Sequence, residues 1–156
     1  MKFSINREAL LKPLTLVAGV VERRHTLPVL SNVLLRIENQ QLTLTGTDLE
    51  VEMTGKVAPE LIKSDGIITV SARKLLDICK SLPDHARVDI EQVNEHLVLR
   101  SACSKFKLST LPSGDFPNID DSPESFELEL SQSSLLKLIE QNGFAMAHQD
   151  VRYYLN

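Results

Sequence analysis

The first fifteen residues, MKFSINREALLKPLT, lie over FELELSQSSLLKLIE, which begins at Phe126, at a fixed offset of 125. Ile5 falls on Leu130, Asn6 on Ser131, Leu10-Leu11-Lys12 on Leu135-Leu136-Lys137, and Leu14 on Ile139. Each copy reads as a short alternating strand, a polar residue able to cap a helix, and then an apolar helical stripe. The same offset lays Arg24 over Gln149 and Leu30 over Leu155. Self-similarity at a fixed period marks an array of like units, and a period this long means whole domains rather than a solenoid. The expected organisation is a first domain over 1–120, a linker over 121–125, and the start of a second domain over 126–156. On this reading the chain breaks off where the long strand of the second copy begins.

Within the first copy, Phe3 and Ile5 alternate as in a strand, and Asn6 precedes a helix with Leu10, Leu14, Val17 and Val21 on one face. Pro13 lies inside that pattern and should kink the helix or loosen one turn. ERRHTLP is expected as a loop and VLSNVLLRIE as a strand. LTLTGTDLEVEM alternates cleanly enough to read as one further strand, and IITV follows the Ser-Asp-Gly turn. Ser71 can cap a second helix ending near Ser81 before Pro83, with Ala72, Leu75, Leu76 and Cys79 as its core stripe. Ile78 and Leu82 fall off that stripe as an apolar flank with no evident internal use. Three strands follow at ARVDIEQ, HLVLRS and KFKLST, and LPSGDFPNIDDSPES reads as a linker by its Pro, Gly, Ser and Asp content. Two helices with many strands place the chain in the α+β class.

The net charge of −4 argues against a nucleic-acid partner until its distribution is considered. Residues 1–24 carry five bases against two acids, and 71–80 carry Arg73, Lys74 and Lys80 against Asp77. Residues 38–60 hold five acids and one base, and 115–129 hold six acids and no base. Basic helices and acidic strands can still give one positive surface. The N-terminus has no apolar leader core, and no run approaches the roughly 20 apolar residues of a membrane span. Cys79 and Cys103 match no metal or redox spacing. A soluble cytoplasmic protein is expected.

The segments TLPVLSNVLL, LTGTDLEVEM, SARKLLDICKSLP, LSTLPSGDFPN and MAHQDVRYYLN resemble those of the bacterial DNA polymerase III beta subunits, the sliding clamps. The resemblance runs through all 156 residues. It implies a DNA clamp fold of three repeated domains, each with two helices packed on antiparallel sheets, the helices lining the interior of a ring. Two such chains would close head to tail around duplex DNA as a non-catalytic processivity factor of the replicative polymerase, with no cofactor or metal. Implied partners are double-stranded DNA, a second copy of the chain, and the polymerase, clamp loader and other proteins that bind through short peptide motifs. Positions carried over imply DNA contact by Arg24, Arg73, Gln149, Tyr153 and Tyr154. They imply a subunit joint at Lys74, Ile78, Leu82, Lys105, Phe106 and Leu108, with Cys103 standing where relatives commonly carry a base. Arg152 and Leu155 match the edge of the peptide pocket.

Two other classes compete. His25, Asp48, His148 and Asp150 could form a metal or acid/base site of a hydrolase, but no HExxH, phosphate loop or nucleophile elbow accompanies them. The acidic strands and the apolar flank of the second helix would equally suit a protein-interaction module that does not encircle DNA.

Overall fold

A computed structural model describes residues 1–21, 27–117 and 128–146. The chain divides into two compact units, 1–119 and 120–156.

The first unit opens with strand β1 (Lys2–Asn6) and helix α1 (Arg7–Ala18). Asn6 is extended, and its side chain accepts from the Glu8 backbone N–H, satisfying one of the donors a helix start leaves unpaired. The helix runs unbroken through Pro13 and ends three residues short of Val21, which is half-buried against the core all the same. Strands β2 (Asn32–Glu38), β3 (Gln41–Thr47) and β4 (Glu52–Val57) form a meander, followed by β5 (Leu61–Ser64) and β6 (Gly66–Ser71). Helix α2 (Ala72–Ser81) comes next, its start capped by Ser71, and then β7 (Arg87–Val93), β8 (His96–Ser101) and β9 (Ser104–Leu111).

Four expectations change. Pro28–Ser31 is a short 3-10 turn, and the strand starts only at Asn32; proline at the first position fixes the φ of such a turn. The alternating run from Leu42 to Met53 is a hairpin, β3 and β4. Asp48 breaks it by accepting the backbone N–H groups of both Glu50 and Val51, while Leu49 takes φ 78°. Leu61–Ser64 forms a strand that its weak alternation did not announce. The stretch read as linker from Leu111 begins as structure, with Phe116 buried beside Val29, Leu30 and Leu34.

All strand pairs are antiparallel, and the sheet order is β4-β3-β2-β6-β9-β8-β7-β1-β5. Within this unit a second repetition emerges: β1-α1-β2-β3-β4 and β6-α2-β7-β8-β9 have the same order of elements, and each half places its first strand beside the other half's second. Inward-pointing residues of both halves meet the helix stripes in one core. Leu10, Leu14 and Val17 of α1 and Leu75 and Cys79 of α2 are buried with Ile5, Leu35, Leu44, Ile90 and Leu99. Each large side chain fully buried there contributes roughly 1.5–3 kcal/mol.

The helix layer lies close on the strands because two positions lack a side chain. A Cβ on Gly46 would come 2.8 Å from Val17 Cγ1, and one on Gly55 would come 2.8 Å from Pro13 Cβ. In the second unit, helix α3 (Gln132–Gly143) is capped by Ser131, which accepts from Ser134 N–H at 3.2 Å. Its bounds and cap are those of α1 shifted by 125 residues.

Candidate nucleic-acid interface

The helices of the first unit pack side by side, and one charged side chain fastens them. Arg7, at the first position of α1, reaches the C-terminus of α2 and donates from Nε to the Cys79 carbonyl at 2.8 Å. Its Nη1 meets Asp84 at 2.6 Å and Glu8 at 2.9 Å. A cation on the last carbonyls of a helix complements both their unpaired oxygens and the helix dipole. Glu8 in turn accepts the His85 backbone N–H at 2.9 Å, and this bond, ahead of others, holds its carboxyl below the usual range. Arg7 therefore fixes the angle between the helices instead of facing a ligand. Lys2 is likewise committed, to Glu91 at 2.8 Å on the sheet. Of the five bases in residues 1–24, Lys12 alone is exposed and unpaired among the described residues; Arg23 and Arg24 lie outside them.

Between the end of α1 and the start of α2 lies an open cleft of about 390 Å³. Ala18, Val21 and Leu76 form its apolar part, and Arg73, Asp77 and Lys80 its charged part. Arg73 and Lys80, seven residues apart, therefore do share one helix face. The Arg73 side chain is 73% exposed, and its only partner among the described residues is Asp77 one turn on, at a loose 3.8 Å. Such an exposed pair is worth little, so the guanidinium is available to an anion. Two cations against one carboxylate, along one face of a helix, suit contact with phosphates and offer nothing that would read a base edge. Gln149, Tyr153 and Tyr154, and the pocket-edge residues Arg152 and Leu155, lie outside the described residues, as Arg24 does. Its nearest described neighbour in sequence on the N-terminal side, Val21, lines the cleft.

The six joint residues divide. Lys74 and Lys105 are exposed, while Ile78, Leu82, Phe106 and Leu108 all belong to the core cluster. The flank of α2 thus has an internal use after all: Leu82 is 6% and Leu108 9% exposed, with Ile78 and Phe106 half-buried beside that core. Strand β9 pairs with β8 from Ser104 to Ser109 but meets β6 only at Thr110 and Leu111. The other backbone edge of Ser104–Ser109 has no strand partner among the described residues. Cys103 is exposed in the tight turn just before it, whereas burial beneath α2 pushes the Cys79 thiol up to about 11.

The expected division of charge, basic helices and acidic strands, holds for only part of the sheet. On the face turned away from the helices, β1, β7, β8 and β9 present Lys2, Arg87, Arg100, Lys105 and Lys107 against Asp89 and Glu91. Alternation along a strand sends these side chains outward while Ile5, Ile90 and Leu99 point to the core. Of the four residues considered for catalysis, Asp48 forms the β3–β4 turn, and His25, His148 and Asp150 lie outside the described residues. No group of three or more His, Cys, Asp or Glu residues able to hold a metal occurs among the described residues. No helix among them is long and apolar enough to cross a membrane.

Comparison with known proteins bears on the same geometry. The family described as DNA polymerase III beta subunit, N-terminal domain, matches residues 1–120. The beta sliding clamp of Pseudomonas putida is 61% identical over 156 residues, which is 100% of this chain and 42% of that protein. The beta sliding clamp of Escherichia coli K12 is 50% identical over the same residues, covering 43% of its own length. Among solved structures, the DNA polymerase III subunit beta of Pseudomonas aeruginosa superposes with a TM-score of 0.93 at 58% identity, over 100% of this chain and 42% of that one. The chain thus spans about two-fifths of the length of the relatives it matches.

Proposed function

Since the chain belongs to the DNA polymerase III beta subunit family, with the α+β clamp fold of its relatives, we propose that it supplies the first domain and the opening of the second in a ring-shaped sliding clamp. That ring encircles duplex DNA without regard to sequence, tethers the replicative polymerase to its template in the cell interior, and catalyses nothing itself. The observation that carries this reading is the cleft on the helix layer, where Arg73 and Lys80 stand on one face with, among the described residues, Asp77 alone against them. Contacts to phosphate hold position without trapping the protein at one sequence. Their salt-sensitive strength permits sliding, and closure of the ring supplies retention.

The domain boundaries at 1–120 and 126–156 fit this arrangement, because the second copy begins with the same cap and helix as the first. Arg24, Gln149, Tyr153 and Tyr154 complete the DNA-facing surface in this reading. The open edge of β9 with Lys105, together with Lys74 and the half-buried Ile78 and Phe106, forms the joint to a second copy; Leu82 and Leu108 support it from beneath. Arg152 and Leu155 contribute to a pocket for short peptide motifs of the polymerase and the clamp loader.

The test is a full-length chain carrying Arg24→Ala with Gln149→Ala. Its affinity for duplex DNA at low salt should fall while its oligomeric state, followed by analytical ultracentrifugation, stays that of the parent. Unchanged affinity would remove these residues from the DNA surface.

A further inference from the structure

On the sheet face opposite the helices, the outward residues of β5, β1, β7 and β8 enclose a second cleft of about 290 Å³. Four cations line it, Lys2, Lys63, Arg87 and Arg100, with two carboxylates, Asp89 and Glu91. Both carboxylates are already engaged. Glu91 takes Lys2 at 2.8 Å on one oxygen and Arg100 at 3.0 Å on the other, and it is held below the usual carboxylate range chiefly by the Lys2 bond. Asp89 accepts the hydroxyl of the buried Ser4 at 2.5 Å and faces Arg87 at 3.5 Å.

Donor capacity is therefore left over. An ammonium has three N–H groups and a guanidinium five. Lys2 and Arg100 each spend one of these on Glu91, Arg87 makes one loose pairing, and Lys63 has no ion pair among the described residues. In the floor, β1 pairs with both β7 and β5, and the register against β5 skips Lys63 between Ile62 and Ser64. Glu91 holds Lys2 and Arg100, and the surplus of two positive charges calls for a compact anion with several acceptor oxygens. Guanidinium and ammonium groups gathered around one opening match a phosphate group better than a single carboxylate, because a phosphate offers acceptors in three or more directions.

We propose that this cleft is a phosphate-binding site, used either for free inorganic phosphate or for a phosphate monoester on a larger ligand. It lies on the far side of the sheet from the Arg73 cleft, so it does not depend on the proposed ring or on a DNA surface formed by the helices.

The experiment is an NMR titration of the 156-residue chain with sodium phosphate, with sodium chloride at matched ionic strength, and with phenyl phosphate. Phosphate should give saturable shifts of the backbone amides of β1, β7 and β8 that chloride does not reproduce. Lys63→Ala, which breaks no ion pair among the described residues, should keep the parent's thermal unfolding midpoint and weaken phosphate binding by about tenfold, the effect of one lost charge-assisted bond. Parallel binding of phenyl phosphate supports a phosphate carried on a larger ligand, and its exclusion supports free phosphate only. Shifts that follow ionic strength alone, or phosphate binding unchanged in Lys63→Ala, would overturn the proposal.

Discussion

Gly55 lies on β4 directly beneath Pro13 of α1, and replacing it by alanine tests how the helix layer is seated. A Cβ there would stand 2.8 Å from Pro13 Cβ, 3.4 Å from Pro13 Cα and 3.5 Å from the Pro13 carbonyl oxygen. Carbon atoms rest about 3.5–4.0 Å apart, so helix and strand must separate by roughly 0.7–1.2 Å at that point. Neither side gives easily. The contacted atoms belong to a proline ring and to backbone, and α1 is held at its other end by Arg7. Overpacking of this kind costs about 1–3 kcal/mol. Alanine is favoured over glycine by roughly 0.5–1 kcal/mol in a strand, which offsets part of that. The net expectation is a loss of about 1–2 kcal/mol. At roughly 3–5 °C per kcal/mol for a unit of this size, the melting temperature should fall by about 3–10 °C. Gly114→Ala is the control, because nothing lies within 4 Å of the Cβ it would add. Calorimetry on both variants decides the matter. A Gly55→Ala protein as stable as Gly114→Ala would mean that α1 does not rest on β4.

Phe116→Ala should destabilise the first unit by about 3 kcal/mol in a urea titration, because the ring is buried with Val29, Leu30 and Leu34; an unchanged midpoint would return this segment to the linker. Glu8 and Glu91 both have folded carboxyls held below their ordinary range, so their stabilisation is present above the unfolded value of about 4.3 and is lost as pH falls through the folded values. Unfolding free energy should therefore decline below about pH 4.5, and less steeply in Glu8→Gln with Glu91→Gln than in the parent. Thiol labelling at neutral pH should modify Cys103 quickly and leave Cys79 untouched until the protein unfolds, since burial holds the Cys79 thiol at about 11. Equal rates at the two sites would contradict the seating of α2 on the sheet.

Helix caps were the most legible local signal, whereas the strand expected at the head of the second copy does not form over Leu128–Leu130. Asn6, Ser71 and Ser131 each cap a helix, and the 125-residue shift reproduces both the cap and the bounds of α1 in α3. Hidden features depend on contacts distant in sequence. The half-domain repetition was illegible because β1-α1-β2-β3-β4 and β6-α2-β7-β8-β9 share a topology that different side chains can satisfy. The β3–β4 turn was concealed by continued alternation through Leu49 and Val51, and only the hydrogen bonds of Asp48 reveal it. Charge was the least reliable guide. Arg7 and Lys2, counted with a basic surface, hold α2 and the sheet respectively, while Arg100, Lys105 and Lys107 of β8 and β9 fall outside the segments whose charge was counted. Linear charge counts cannot tell which strand face a residue takes, and that depends on the parity of its register. The apolar flank of α2 was legible as unusual, but its depth was not, because Leu82 leaves the helix toward the core.

The central claim is that enclosure, assisted by cations on the helix layer, retains the protein on DNA. The direct measurement is the dwell time of the full-length protein on a nicked circular duplex before and after a single cut linearises it, at one salt concentration. The account predicts long retention on the circle and rapid loss from the free ends after cutting. Equal dwell times on the two forms would contradict it.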